Sequence, residues 1–388
     1  MNILILMPIG EQRGGAEQLL RMLLGHTDET ALDVSVVFLE DGPLPRECRK
    51  QGIPTQVVPA GRLRHLHRFL PTVRQIVEAA EQTQADLIFS WMAKAHLYGA
   101  IASQMAGVPS AWYQHGLPRN TAWLNRLVSF FPTDGILACS ETVADVQRQH
   151  WTAPPTTVVP PSVSLDQFNP TVLPSTEQAR RELGLPEHGP LIGMVGRLQR
   201  WKGMHTLVDA MPNILAHHPD AHAVIVGGLH AHEPGYGTTL DERIADRGLE
   251  DRVLRVGFQS NVQLWMQAMD VFVHASDHEP FGIVLIEAMA LGTPVVAGDR
   301  GGPTEIITEG TDGLLAPYED AEALARQIRR YLDDPDFART VGTNARRRAQ
   351  DFGPEAYVER FANATTAIVR QQGDPFENVH QIFRTWLG

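Results

Sequence analysis

At 388 residues, 43% hydrophobic and 20% charged, the chain has room for two to three domains and the composition of a folded protein, not of a disordered, collagen-like or coiled-coil one. Its formal charge of −12 argues against a dedicated nucleic-acid binder, whose affinity rests on neutralising phosphates. Any anion site must be local, and among the 33 basic residues only Lys50, Lys94 and Lys202 are lysines.

The first residues lack the basic region and small-residue cleavage site of a secretory leader, and no apolar run reaches the ~18–20 residues of a membrane span. A cytoplasmic protein, at most peripheral on the inner face of a membrane, is expected. Short apolar runs bounded by turn residues follow at 3–7, 34–39, 56–58, 87–90, 110–113, 135–138 and 157–159. Between most of them lie helical-length segments with 3.6-residue spacing, such as 16–24, 70–80 and 95–106. Such alternation predicts a parallel sheet covered by helices on both faces. Cys139 ends one run and reads as a small buried hydrophobe; with Cys48 it gives neither a disulfide framework nor metal-ligand spacing.

Prolines 154, 155, 160 and 161 interrupt the pattern, since proline fixes φ and removes a ladder donor. The alternation restarts at 191–195, 223–226, 253–256, 271–274, 294–297 and 313–315. Two doubly wound α/β domains are therefore expected, 1–162 and 163–374. Beyond Gly373-Asp374-Pro375 an amphipathic piece, 375–388, is expected to return to the first domain. Ligands of such sheets bind outside the carboxyl ends of the strands, so two domains facing each other would form a cleft there.

The candidate chemistry sits at those ends. Gly14-Gly15-Ala16-Glu17 follows the first strand and opens a helix; it is either a structural turn or a place where backbone approaches a ligand closely. The dinucleotide pattern Gly-x-Gly-x-x-Gly is absent, so no nicotinamide cofactor is expected. His115 ends an inner strand, with Gly116 behind it. After the first strand of the second domain, Gly196-Arg197-Leu198-Gln199-Arg200-Trp201-Lys202-Gly203 would bring Arg197 and Lys202 to an anion, or present ordinary surface charge. Asp277-His278-Glu279-Pro280-Phe281-Gly282-Ile283 leads into an almost wholly apolar helix with Glu287 in its middle. That carboxylate must be paired with a nearby arginine or accept bonds from ligand hydroxyls, because an isolated buried charge is costly. The amides of Phe281, Gly282 and Ile283 at the helix start suit an anion. His230-Ala231-His232-Glu233 looks superficially like a metal site but reads as a solvated loop.

Taken together, Gly14-Gly15-Ala16-Glu17, Arg197 with Lys202, Glu279 paired with Glu287, and Gly301-Gly302-Pro303-Thr304-Glu305 resemble the retaining glycosyltransferases of family 4, which have the GT-B fold. The likeness spans nearly the whole chain and is most specific in the second domain. It implies a hexose-type sugar carried by a nucleotide-diphospho-sugar, UDP- or GDP-linked, with no cofactor and no metal. It further implies that Arg197 and Lys202 bind the diphosphate with the amides of Gly14-Gly15, Gly282 and Ile283. Glu287 would hold ribose hydroxyls, Glu279 and Phe281 would touch the sugar, the Gly257-Phe258 backbone would face the base, and His115 would lie near the anomeric carbon. Where the family commonly has Pro-Asn-Gly-Val-Asp between the domains, this chain has Pro161-Ser162-Val163-Ser164. A sugar-nucleotide epimerase and a non-catalytic sugar-nucleotide-binding partner subunit are the competing readings.

For the acceptor, Arg62, Arg64, Arg68 and Arg74, with His65 and His67, alternate with Leu63, Leu66, Phe69 and Leu70. An ordinary half-buried helix or a stretch resting on anionic lipid would have this pattern. With the apolar stretch 123–131 it points to a glycan or lipid-linked acceptor.

Overall fold

The computed structural model of the chain describes residues 1–11, 14–61, 66–117, 128, 130–149 and 154–371. It divides into two units, the first holding Met1–Pro161 together with the stretch from Pro354 onward, the second Ser162–Gly353.

In the first unit the strands are β1 (Asn2–Met7), β2 (Asp33–Phe38), β3 (Thr55–Val57), β4 (Leu87–Ser90), β5 (Ser110–Gln114), β6 (Gly135–Ala138) and β7 (Thr156–Val158). They form one sheet in the order β3-β2-β1-β4-β5-β6-β7, every pairing parallel. Central strands such as β4 and β6 are buried along their whole length, which is why they read as unbroken apolar runs and not as alternating ones. The second unit repeats the plan with β8 (Leu191–Val195), β9 (His222–Val226), β10 (Val253–Gly257), β11 (Val271–His274), β12 (Val295–Gly298) and β13 (Leu314–Ala316), in the order β10-β9-β8-β11-β12-β13. In each sheet the order reverses beside the first strand, between β1 and β4 and between β8 and β11. Those reversals are the crevices where such sheets take ligands.

The boundary near residue 162 agrees with the proline break, but the return to the first unit comes earlier than the sequence pattern suggests. The second unit ends at Gly353, not 374, and the returning element is the helix Pro354–Gln371. Tyr357, Phe361, Ala364 and Ile368 form its buried stripe, and Phe361 packs edge-on to Phe89 with ring centroids 4.9 Å apart. Residues 375–388 lie outside the described residues. The turn that lacks Asn-Gly also ties the ends of the second unit together, since Ser162 Oγ and the Val163 amide both donate to the Phe352 carbonyl, each at 2.9 Å.

Candidate active site

In the second unit the loops after β8 and β11, the two strands flanking the reversal, are joined directly. The Asp277 amide donates to the Trp201 carbonyl at 2.8 Å. Gly203, at φ +76°, lets the first loop pass so close that a Cβ there would overlap the Ala275 carbonyl oxygen. Residues Arg200–Lys202 form one 3-10 turn, which delivers Lys202 to the second loop. Its Nζ lies 2.5 Å from Glu279 Oε2 and 4.1 Å from the centre of the Trp201 ring. Arg197 stays exposed, with Nη1 3.5 Å from His230 Nε2. The 230–233 loop is largely exposed, as expected, and it also braces the Arg197–Lys202 segment, because the Glu233 carboxylate accepts from the Arg200 amide at 2.7 Å and from Gln199 at 3.4 Å.

Glu279 has a second partner that the sequence did not reveal. His274, the last residue of β11 and only 3% exposed, places Nε2 3.2 Å from the same Oε2. Burial alone would raise the Glu279 pKa, but the Lys202 ammonium and the His274 hydrogen bond outweigh it and hold the carboxyl well below the usual range. The signal available in the sequence is a polar imidazole closing an otherwise apolar central strand. Gly302 supports the Glu279 backbone: its amide donates to the Glu279 carbonyl at 2.8 Å, and a Cβ on it would overlap the Phe281 backbone.

Phe281 is 4% exposed, with its ring 5.6 Å from that of Phe352. The Phe281 ring is thus packed into the core, which leaves its backbone as the part open to the sugar contact expected from the sequence. Gly282 and Ile283 open the helix Ile283–Ala290. Glu287, one turn in, is 6% exposed and has no arginine or hydrogen-bond donor paired with its carboxyl among the described residues. The alternative of a structural ion pair thus falls away, and burial pushes its pKa up to about 7. Phe258, directly after β10, is 79% exposed.

The first unit gathers its own group at the ends of β1, β4 and β5. Gly15 begins the helix Gly15–Gly25, while the Gly14 amide donates to the Glu17 carboxylate at 2.9 Å and so is already occupied. Trp91, fully buried after β4, donates from Nε1 to the Ala16 carbonyl at 2.8 Å. Its own carbonyl stands 2.8 Å from His115 Nε2. A carbonyl only accepts, so Nε2 carries the proton and Nδ1 is left as the acceptor. Burial pushes the His115 pKa down to about 4, partly offset by that bond. Trp91, which no sequence motif marks, is the link between the glycine loop and His115. Residues 62–65 and 118–127 lie outside the described residues, whereas Arg68 and Leu70 are exposed.

Residues 175–348 match the family Glycosyl transferases group 1, and residues 13–167 match Glycosyltransferase Family 4. A lipopolysaccharide core biosynthesis mannosyltransferase, LpsB of Rhizobium meliloti, is 31% identical over 258 residues, 65% of this chain and 70% of that protein. The chain belongs to the GT-B glycosyltransferases. Among solved members of this fold, HepE of Anabaena in complex with UDP superposes with a TM-score of 0.81 at 28% identity, covering 95% of this chain and 100% of that one. The same protein has been solved with UDP-glucose, at a TM-score of 0.80. A D-inositol 3-phosphate glycosyltransferase of Corynebacterium kroppenstedtii is 33% identical over 61% of this glycosyltransferase and 54% of its own length. Among the described residues no helix is long and apolar enough to cross a membrane.

Proposed function

We propose that this glycosyltransferase is a retaining, metal-independent hexosyltransferase that draws on a nucleotide-diphospho-sugar, UDP- or GDP-linked, and delivers the sugar to a glycan or lipid-linked acceptor. The observation that carries this reading is Glu287: a buried carboxyl with no partner among the described residues, one turn below the Glu279–Gly282 loop that Lys202 reaches. A pair of ribose hydroxyls would satisfy it. In this reading Arg197 and Lys202 neutralise the diphosphate with the amides of Gly282 and Ile283, Glu279 accepts from sugar hydroxyls, and the Phe258 backbone lies beside the base. On the first domain Gly15 and His115 keep the roles that the family resemblance gives them, a backbone amide for the diphosphate and a side chain that orients the sugar.

As the sugar–phosphate bond breaks, negative charge builds on the β-phosphate oxygens. Once the donor is bound, the cations and amides gathered around the diphosphate stabilise that charge as it forms, which makes them the main catalytic contribution. No protein carboxylate is needed as nucleophile when the acceptor hydroxyl attacks from the face the leaving group vacates and passes its proton to a β-phosphate oxygen of the departing nucleoside diphosphate. The complexes of HepE with UDP and UDP-glucose and the mannosyltransferase relative support a hexose donor.

Thermal-shift screening against UDP- and GDP-sugars tests the donor, because a ligand bound only by the folded state raises Tm. Loss of that shift is expected in Lys202→Ala and Glu287→Ala, and an undiminished shift in both refutes the site. For His115→Ala turnover should fall more than donor affinity. The anomeric configuration of the product, read by NMR, tests retention, and activity persisting in EDTA tests metal independence. A cytoplasmic enzyme resting on the membrane through residues 62–74 should bind anionic vesicles, and binding unchanged by Arg62→Ser, Arg64→Ser and Arg68→Ser together would oppose that placement.

A further inference from the structure

We propose that His274 is a positioning residue: its Nε2–H holds the Glu279 carboxylate in place for the donor sugar while Lys202 turns to the diphosphate. The inference rests on the reading of Glu279 and Lys202 given above and adds a residue to it. Positive and hydrogen-bonding support for Glu279 converge on one oxygen, with Lys202 Nζ at 2.5 Å and His274 Nε2 at 3.2 Å. The carboxylate only accepts, so Nε2 carries the proton. The other ring nitrogen, Nδ1, is buried with no partner, and Ser276 Oγ stands 3.4 Å from Nε2. The polar engagement of this ring is therefore directed wholly at the Ser276–Glu279 segment.

Burying an imidazole at the end of the apolar strand Val271-Phe272-Val273 costs free energy that a leucine would not. That cost is understandable if Glu279 needs a donor that does not move. Lys202 is a flexible ammonium, and a diphosphate of two or more negative charges draws it away from the carboxylate it now pairs with. Glu279, its side chain 11% exposed, would then sit in a nearly dry site with weakened compensation. His274 supplies a fixed hydrogen bond from the rigid end of a central strand, so the carboxylate keeps its charge and its aim at the same time.

Calorimetric titration of the wild type, His274→Leu, His274→Gln and Glu279→Gln with UDP against UDP-glucose, and GDP against GDP-mannose, tests this. For the pair that binds, His274→Leu should cut the preference for the nucleotide-sugar over its bare diphosphate by roughly 10- to 100-fold, the range for one lost hydrogen bond to a charged group. Affinity for the diphosphate itself should stay within about threefold, and His274→Gln should recover most of the preference. His274→Met, of similar volume, takes the place of the leucine variant if melting shows that one unfolded. Equal loss for both ligands, or no loss, overturns the inference. If Glu279→Gln keeps the sugar preference, the assignment of Glu279 is what fails; if Glu279→Gln loses it and His274→Leu does not, only the role of His274 fails. Binding of neither pair refutes both.

Discussion

Glu287 and Glu279 are eight positions apart on one loop and helix, yet their surroundings drive them in opposite directions. With its pKa raised from 4.5 to about 7, Glu287 binds its proton more tightly folded than unfolded. Its contribution to stability is therefore complete below pH 4.5 and is lost as pH rises through 7. Without ligand, the wild type should lose stability relative to Glu287→Gln between pH 5 and 8, with a slope approaching about 1.4 kcal/mol per pH unit, as urea melts at several pH values would show. Lys202 and Glu279 form the complementary case. Lys202→Ala alone strands a carboxylate and should destabilise by roughly 3 kcal/mol, whereas Lys202→Ala with Glu279→Gln should recover at least half of that; a double-mutant cycle in denaturant measures the coupling. The residue types of the site were legible in the sequence, because each fell at a strand end or in a helix where it needed a reason. Their mutual pairing was not. Lys202 and Glu279 each read as a ligand contact separately, and nothing in a separation of 77 residues shows that they meet.

Strands were the most legible elements. Apolar runs ended by turn residues marked all of β1 to β13 to within one or two positions, because strands of a parallel sheet covered on both faces are mostly apolar along their length, with exceptions such as Ser35 in β2 and Arg255 in β10. The last helices were less legible, since a 3.6-residue stripe says that a helix is covered but not by which unit. The break at Gly353-Pro354 carried the information, and the more conspicuous Gly373-Asp374-Pro375 drew attention from it. Loops depend on backbone approach that only the folded structure displays. At Gly203 both the positive φ and the close approach to the Ala275 carbonyl exclude a side chain. Gly203→Ala should destabilise by more than ~2 kcal/mol and weaken nucleotide-sugar binding along with it, because the loop that delivers Lys202 must back away from β11. A thermal melt and a titration on the same sample read both effects.

At the scale of the whole molecule, the two sheets share one plan, and each places its candidate residues where its strand order reverses. That much followed from the repeated alternation and the rule for open sheets. Whether 62–74 serves an acceptor at all did not, because a basic amphipathic stretch suits several surfaces equally well. The hydrogen bonds from Ser162 and Val163 to the Phe352 carbonyl have a further consequence. They set the first and last residues of the second unit side by side, so that the unit is an insert whose ends already touch. A piece of chain closed in this way can be cut out, or given new ends, without pulling its core apart. Residues 162–353 expressed alone should melt cooperatively and keep the Lys202–Glu279 pair; a fragment without a cooperative transition would show that the insert depends on the chain around it.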